Sequence, residues 1–273
     1  MSYWKHIPAF PLSQFVACFW YWEGVPQTPA KERLMPTGEP CIIVNLRDGP
    51  LRLYACDDFN RSQTYGSALL SGAATGPIVI DNQQQDRVFG IQFRSAGAFP
   101  FFHIPADETA NTVVPLDDLW RSGASELRER LLAATSVESM IQVAETMLIA
   151  QAARSLELHQ AVNFALERFC RAPNAETMAA VSDRIGLSQR HFIAVFREQV
   201  GLTPKAFCQV RRFQYVLHSI HGTSRVDWAQ VALASGYYDQ AHFIHDFRRF
   251  SGLTPCQYWE SRTPHLNHVP ISS

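Results

Sequence analysis

No run of about 18 apolar residues occurs anywhere in the 273-residue chain, which excludes a membrane-spanning helix. The N-terminus has no basic region followed by an apolar stretch, so no export signal is expected and the protein is expected to be cytoplasmic. Cysteine is sparse. Cys18, Cys41, Cys56, Cys170, Cys208 and Cys256 show no C-x-x-C spacing, which argues against a zinc knot or a secreted disulfide framework and predicts reduced thiols in or near packed cores. Histidine is scarce early in the chain, with only His6 and His103 before residue 155, too few for a metal site built from converging imidazoles. The i, i+3 pairs His218 with His221, His242 with His245 and His265 with His268 fall later, in helices or in the tail, where a structural role is the commoner one. G-x-S-x-G, P-loop and dinucleotide fingerprints are missing. The expectation is therefore a protein that is not an enzyme and carries no cofactor or metal.

Net charge is also nearly absent, at −1, until the chain is divided. Residues 155–273 hold 12 Lys and Arg against 9 Asp and Glu, a net of +3, and residues 1–154 hold 12 against 16, a net of −4. A change of sign at one boundary is expected when one part meets phosphates and the other does not. The length suggests roughly two domains.

What is present is an internal repeat. Shifting Ser188–Pro204 by 51 positions gives ten identities in seventeen. Each copy has a glycine where one helix stops, Gly186 or Gly236, followed by a capping residue, Ser188 or Asp239. The second turn is one residue longer, Gly236-Tyr237-Tyr238-Asp239 against Gly186-Leu187-Ser188. Phe192 with Phe196, and Phe243 with Phe247, share a helix face at i, i+4 and are expected to pack inward. The opposite stripe carries Arg190, Ile193, Ala194 and Arg197 in the first copy, and Ala241, Ile244, His245 and Arg248 in the second. A helix of this width fits a DNA major groove. Base-reading candidates are Gln189, Arg190, Ile193, Ala194, Gln240, Ala241, Ile244 and His245, and phosphate candidates are Arg197, Arg248 and Arg249. Ile193 and Ile244 suit thymine methyls and suit burial equally.

These paired turns, together with Phe247-Arg248-Arg249 and Gly252-Leu253-Thr254-Pro255, resemble the AraC/XylS family of bacterial transcription regulators over about the last 110 residues. The stretch Arg212–Ile220 resembles the family's connecting helix. The resemblance implies two recognition helices, 188–199 and 239–250, in successive major-groove segments of double-stranded DNA, with RNA polymerase as a further partner. Where the family often has Arg, this chain has Ala194 and His245, so base contacts do not carry over directly.

Ahead of this part, Cys41–Leu46, Ala68–Ser71, Pro77–Ile80 and Arg87–Phe93 read as strands bounded by turn residues, with Leu51–Tyr54 as a hairpin partner of the first. Leu12, Phe15, Val16 and Phe19 suggest a short helical face. Residues 1 to about 95 are expected to form an antiparallel sandwich or barrel. Two helices follow, one after Ser125 with Leu127, Leu131 and Leu132, one after Ser136 with Met140, Ile141, Ala144, Met147 and Leu148. In the family such a pair commonly mediates dimerisation, so a homodimer through 125–153 stands beside packing on the chain's own sheet. Gly90–Arg94, Gly97-Ala98 and Val114–Trp120 resemble the uncharacterised N-terminal domain of many such regulators.

The expected fold class is α+β: a cupin-like sandwich or barrel with a helical pair, then an all-α domain with two helix-turn-helix motifs. The expected domains are a regulatory part at 1–153, its helical pair at about 122–153, a DNA-binding part at 154–262 and a disordered tail at 263–273. A small-molecule effector pocket would draw on Trp20, Trp22, Glu23, Glu39, Phe93 and Arg94, residue types that more often serve as core aromatics and surface charges. The alternative is an N-terminal domain that binds a protein partner. Oxidant sensing by Cys18, Cys41 or Cys56 lacks the basic neighbours that lower a thiol pKa.

Overall fold

A computed structural model describes residues 2–25, 31–84, 86–152, 154–171, 181 and 184–271. Two antiparallel sheets form the N-terminal half. The first holds six strands, in the order β1 (Ser2–His6), β2 (Val16–Glu23), β9 (Arg87–Phe93), β4 (Cys41–Asn45), β7 (Ala68–Ser71) and β10 (Val113–Pro115). The second holds five, in the order β11 (His268–Pro270), β3 (Lys31–Leu34), β8 (Ile78–Asp81), β5 (Leu51–Tyr54) and β6 (Ser62–Tyr65). The expected antiparallel β architecture followed by helices is thus the observed one.

Side-chain alternation along β2 explains the layers. Phe19 lies opposite Ile91, and Tyr21 opposite Phe89, on the face that forms the main apolar core. Helices α1 (Leu116–Trp120), α2 (Ser122–Ala133) and α3 (Val137–Ala150) cover that face. Leu127, Leu131, Met140, Ala144, Met147 and Leu148 join the same core, so the apolar seams of α2 and α3 are used against the chain's own sheet. A capping box between Ser136 and Ser139 starts α3 where the sequence placed it.

Three details differ from expectation. Leu12–Phe19 is not a helical face: after a single 3-10 turn at Leu12–Gln14 the chain enters β2, because from Val16 onward period-two burial outweighs the helical spacing. Leu51–Tyr54 is not the hairpin partner of Cys41–Asn45. It lies in the other sheet, between Ser62–Tyr65 and Ile78–Asp81, and its Leu51 packs under Tyr65 and Leu69. The tail is ordered at 268–270, where β11 pairs with β3 and buries Val269, with the His268 ring 2.9 Å from Glu32.

Among the described residues, the helical half includes α4 (Gln160–Arg171), α5 (Gln189–Val200), α6 (Pro204–Ile220), α7 (Trp228–Ala234), α8 (Gln240–Ser251) and α9 (Pro255–Ser261). The sequence assigns Met178, Val181 and Ile185 to the first helix of motif one; Val181 is buried, whereas Met178 lies outside the described residues. Two aromatic cores result, one around Phe169, Phe192, Phe196 and Phe207, the other around Phe213, Phe243, Phe247 and Phe250. Each takes in residues from the N-terminal half: Ala73 and Ala96 join the first, and Met35 joins the second.

Candidate DNA-binding surface

The two repeat copies build the same object. Ser188 Oγ accepts from the His191 N–H at 3.3 Å, and Asp239 Oδ1 accepts from the His242 N–H at 2.7 Å, so each helix starts on a side-chain cap. Gly201 (φ 89°) and Gly252 (φ 71°) close the two helices in the left-handed conformation that glycine adopts without strain. Phe192 and Phe196, like Phe243 and Phe247, are buried at i, i+4 and anchor one face. The opposite face is the open one.

On α5, Gln189, Arg190, Ala194 and Arg197 are exposed and Ile193 is half-buried. On α8, Gln240, Ala241, Ile244, His245, Arg248 and Arg249 are exposed. Arg249 stacks its guanidinium 5.3 Å from the Phe250 ring. Each stripe therefore gathers its candidates on one side of its helix. Helix α6, 17 residues and about 25 Å long, has Phe207 in the first core and Phe213, Val216, Leu217 and Ile220 in the second. It fixes the two motifs to each other through packing at both ends.

Charged contacts position this unit. Arg212 on α6 meets Asp246 on α8 at 3.2 Å, with Asp246 3% exposed, and the guanidinium also lies 4.1 Å from the Tyr237 ring centre. Burial pushes the Tyr237 phenol up to about 12. Between the two halves, Arg197 Nη2 reaches Asp107 Oδ2 at 2.8 Å, and Arg211 Nη1 lies 3.8 Å from Glu39 Oε1. Burial pushes the Glu39 carboxyl up, against the opposing pull of Arg211 and of a hydrogen bond from Ser95. Gln214, buried in α6, donates to the Pro36 carbonyl and to Asn267 Oδ1, each at 2.9 Å. Asp107 sits on a 3-10 turn, Ala106–Thr109, whose last residue lies against Gly72, just beyond β7. A Cβ on Gly72 would stand 1.9 Å from the Thr109 carbonyl oxygen, so only glycine permits this approach.

The six residues proposed for an effector pocket divide between the two faces of the first sheet, with Glu39 and Arg94 close enough to interact. Trp20 and Trp22 are half-buried on the β2 face opposite the main core, with the Trp20 ring lying over Gly90. Phe93 is fully buried on the other face, against Phe101 and Phe102. Glu23 and Arg94 are exposed, Arg94 donating to the Ser13 carbonyl, and Glu39 faces Arg211. A separate apolar cleft, lined in part by Pro40, Phe99, Phe102, Ile104 and Val200 at the end of α5, has a volume of about 10 Å³, room for one water.

All six cysteines are free, but only Cys18 is buried, with Cys41 and Cys208 intermediate and Cys56, Cys170 and Cys256 exposed, so packing in or near cores describes half of them. Desolvation pushes Cys41 and Cys208 up to about 12 and raises Cys18 and, through the partial cover of their sulfurs, Cys56 and Cys170, which keeps these thiols protonated at neutral pH. Among the described residues, no group of three or more His, Cys, Asp or Glu is placed to hold a metal ion, and no helix is long and apolar enough to cross a membrane. Sequence reasoning missed Asp107, Arg211 and the Arg212–Asp246 pair. Only the last had a signal, a charged residue on the inward side of α8.

Comparison with known proteins finds matches in both halves of the chain. Residues 5–115 match a domain of unknown function, DUF6597, and residues 181–261 match a helix-turn-helix domain. The chain is similar to the probable transcriptional regulator LumQ of Photobacterium leiognathi, 30% identical over 82 residues, which are 30% of this chain and 33% of that protein. It is also similar to an uncharacterized HTH-type transcriptional regulator of Haemophilus influenzae, 31% identical over 75 residues, 28% of this chain and 25% of that one. The matched segment thus spans about a third or less of these relatives. Among solved structures, it is similar to ToxT from Vibrio cholerae O395 bound to (E)-4-(8-methylnaphthalen-1-yl)but-3-enoic acid, with TM-score 0.48, 9% identity, and coverage of 94% of this chain and 98% of that one. The C-terminal domain of AraT from Geobacillus stearothermophilus gives TM-score 0.36 at 18% identity, covering 39% of this chain and 89% of that one. The chain thus carries an AraC-type helix-turn-helix domain at residues 181–261 behind a domain of unknown function, and is similar to transcriptional regulators of the AraC/XylS type.

Proposed function

We propose that the chain regulates transcription in the cytoplasm by placing α5 and α8 in successive major-groove segments of one duplex. The carrying observation is the pair of identically capped helices, each presenting an exposed Gln- and Arg-bearing stripe, mounted on the two ends of α6. In this reading residues 1–153 regulate and residues 154–262 bind DNA. Gln189, Arg190, Ile193, Ala194, Gln240, Ala241, Ile244 and His245 face bases, and Arg197, Arg248 and Arg249 face phosphates. Arg190→Ala is expected to cost about 1–3 kcal/mol on the preferred sequence and much less on others, as loss of a bidentate guanine contact would. Arg248→Ala should weaken binding to every sequence alike and reduce the salt slope by about 0.9. Titrations of both variants on two duplexes at several salt concentrations check this, and equal losses on all sequences for Arg190→Ala would remove it from the reading set.

Control is proposed to act through the interface between the halves. Arg197 is held by Asp107 and is not free for a phosphate while that contact lasts. An exposed pair of this kind is worth about 0.2–1 kcal/mol, so Asp107→Asn is expected to raise DNA affinity up to about fivefold. Unchanged affinity in the same titration would show that the contact does not compete with DNA. A small-molecule effector at the N-terminal domain is part of the same proposal, and the cleft beside Val200, which holds only about one water, would have to open to admit one. That tightness favours a second reading in which the domain answers to a protein partner. Contact with RNA polymerase, and a homodimer using the outer side of α2 and α3, where Leu132 and Ile149 are exposed, belong to the same proposal.

A further inference from the structure

The second turn is one residue longer than the first, and the structure identifies the additional residue. Leu187 packs into the first aromatic core and Tyr237 into the second, so these two correspond, and Tyr238 has no counterpart in motif one. Tyr238 is 94% exposed. A large side chain just before an N-cap ordinarily packs on the fourth residue of the helix, fixing the entry angle. Here that fourth residue is Phe243, and Tyr237 already covers it, with ring centres 5.3 Å apart. The staple is complete without Tyr238. Its ring stands immediately ahead of Asp239, at the end of α8 that carries Gln240 and Ala241.

We infer that Tyr238 is a DNA-contacting residue that lies against the sugar-phosphate strand at the lip of the groove entered by α8, its hydroxyl donating to a phosphate oxygen. The inference rests on the proposed reading of DNA by α8 and extends it to a contact that positions the helix and reads no base. A phenol is neutral, so it displaces no condensed counterion. Its contribution differs in kind from that of Arg248, because only the charged contact contributes to the salt dependence. The turn of motif one offers no equivalent, which makes the second motif the more firmly anchored of the two.

The test uses the full chain and a duplex selected by it from a random pool, with affinities measured at three salt concentrations for the wild type, Tyr238→Phe, Tyr238→Ala and Arg248→Ala. Tyr238 touches no core, so its variants fold. Tyr238→Ala is expected to bind about three- to tenfold more weakly on selected and unselected duplexes alike, with an unchanged salt slope, and Tyr238→Phe to lose most of that factor through the missing hydroxyl. Wild-type affinity in Tyr238→Ala, alongside a weakened Arg248→Ala, would overturn the inference and leave α8 as the reader. A Tyr238→Phe variant equal to wild type overturns the phosphate contact. If neither Tyr238→Ala nor Arg248→Ala changes binding, the groove reading itself fails.

Discussion

Phe196→Ala is expected to lose about 3–5 kcal/mol of folding stability, read as a lower denaturant midpoint. The ring is fully buried and has edge contacts with Phe169, Phe192 and Phe207 at 6.0, 5.7 and 5.8 Å between centres. Those three rings come from α4, from α5 itself and from α6, so the cavity would open where three helices meet. DNA binding should fall with the folded fraction, without a change in sequence preference. Phe196→Leu keeps much of the volume and should cost less than half as much. A loss below about 1 kcal/mol for the alanine variant would mean that the first motif does not depend on this cluster.

Arg212→Ala is the second large effect, expected to cost about 3–5 kcal/mol because it leaves the Asp246 carboxylate buried without its main partner. Asp246 is 3% exposed, and its other neighbour is the exposed His242, with Nε2 at 3.7 Å. Loss of the guanidinium also uncovers the Tyr237 ring that it stacks on. The double variant Arg212→Met with Asp246→Leu should recover most of the loss, since apolar groups of similar size replace a buried pair at little cost. The pair ties α8 to α6, so the single variant should disturb the second half-site more than the first. Denaturation of the single and double variants decides it. A double variant no more stable than Arg212→Ala would show that the ion pair is not what holds α8.

Much of the helical half was legible because each local signal agreed with the packed result. Gly186, Ser188 and Phe192, and their partners fifty or so residues on, name the turn, the cap and the inward face in order. The strands at Ala68–Ser71 and Arg87–Phe93 were legible from the turn residues around them. Val16–Glu23 was harder to read, since Leu12, Phe15, Val16 and Phe19 fit a helical spacing as well as an alternating one, and only pairing with Arg87–Phe93 decides between them. β11 could not be read, because three residues after Pro264 carry no periodicity and owe their order to a sheet edge more than 200 positions earlier. The same holds for Asp107 and Glu39. Nothing in their local sequence reveals Arg197 or Arg211, which only the docking of the two halves brings to them. The candidate pocket residues divide for a related reason. Residue type marked Trp20, Trp22 and Phe93 as candidates, but strand alternation sends the tryptophans and the phenylalanine to opposite faces.

The shared cores also determine which material to test. Met35 packs with Phe213 and Phe247, and β11 belongs to a sheet of the N-terminal half, so the full chain is the appropriate unit for binding. The most direct measurement is selection of duplexes from a random DNA pool by the full-length protein at physiological salt. Enrichment of two short sequence elements about one helical turn, roughly 34 Å, apart is expected, the second lost on Arg212→Ala before the first. Recovery of no preferred sequence by protein that remains folded would contradict it.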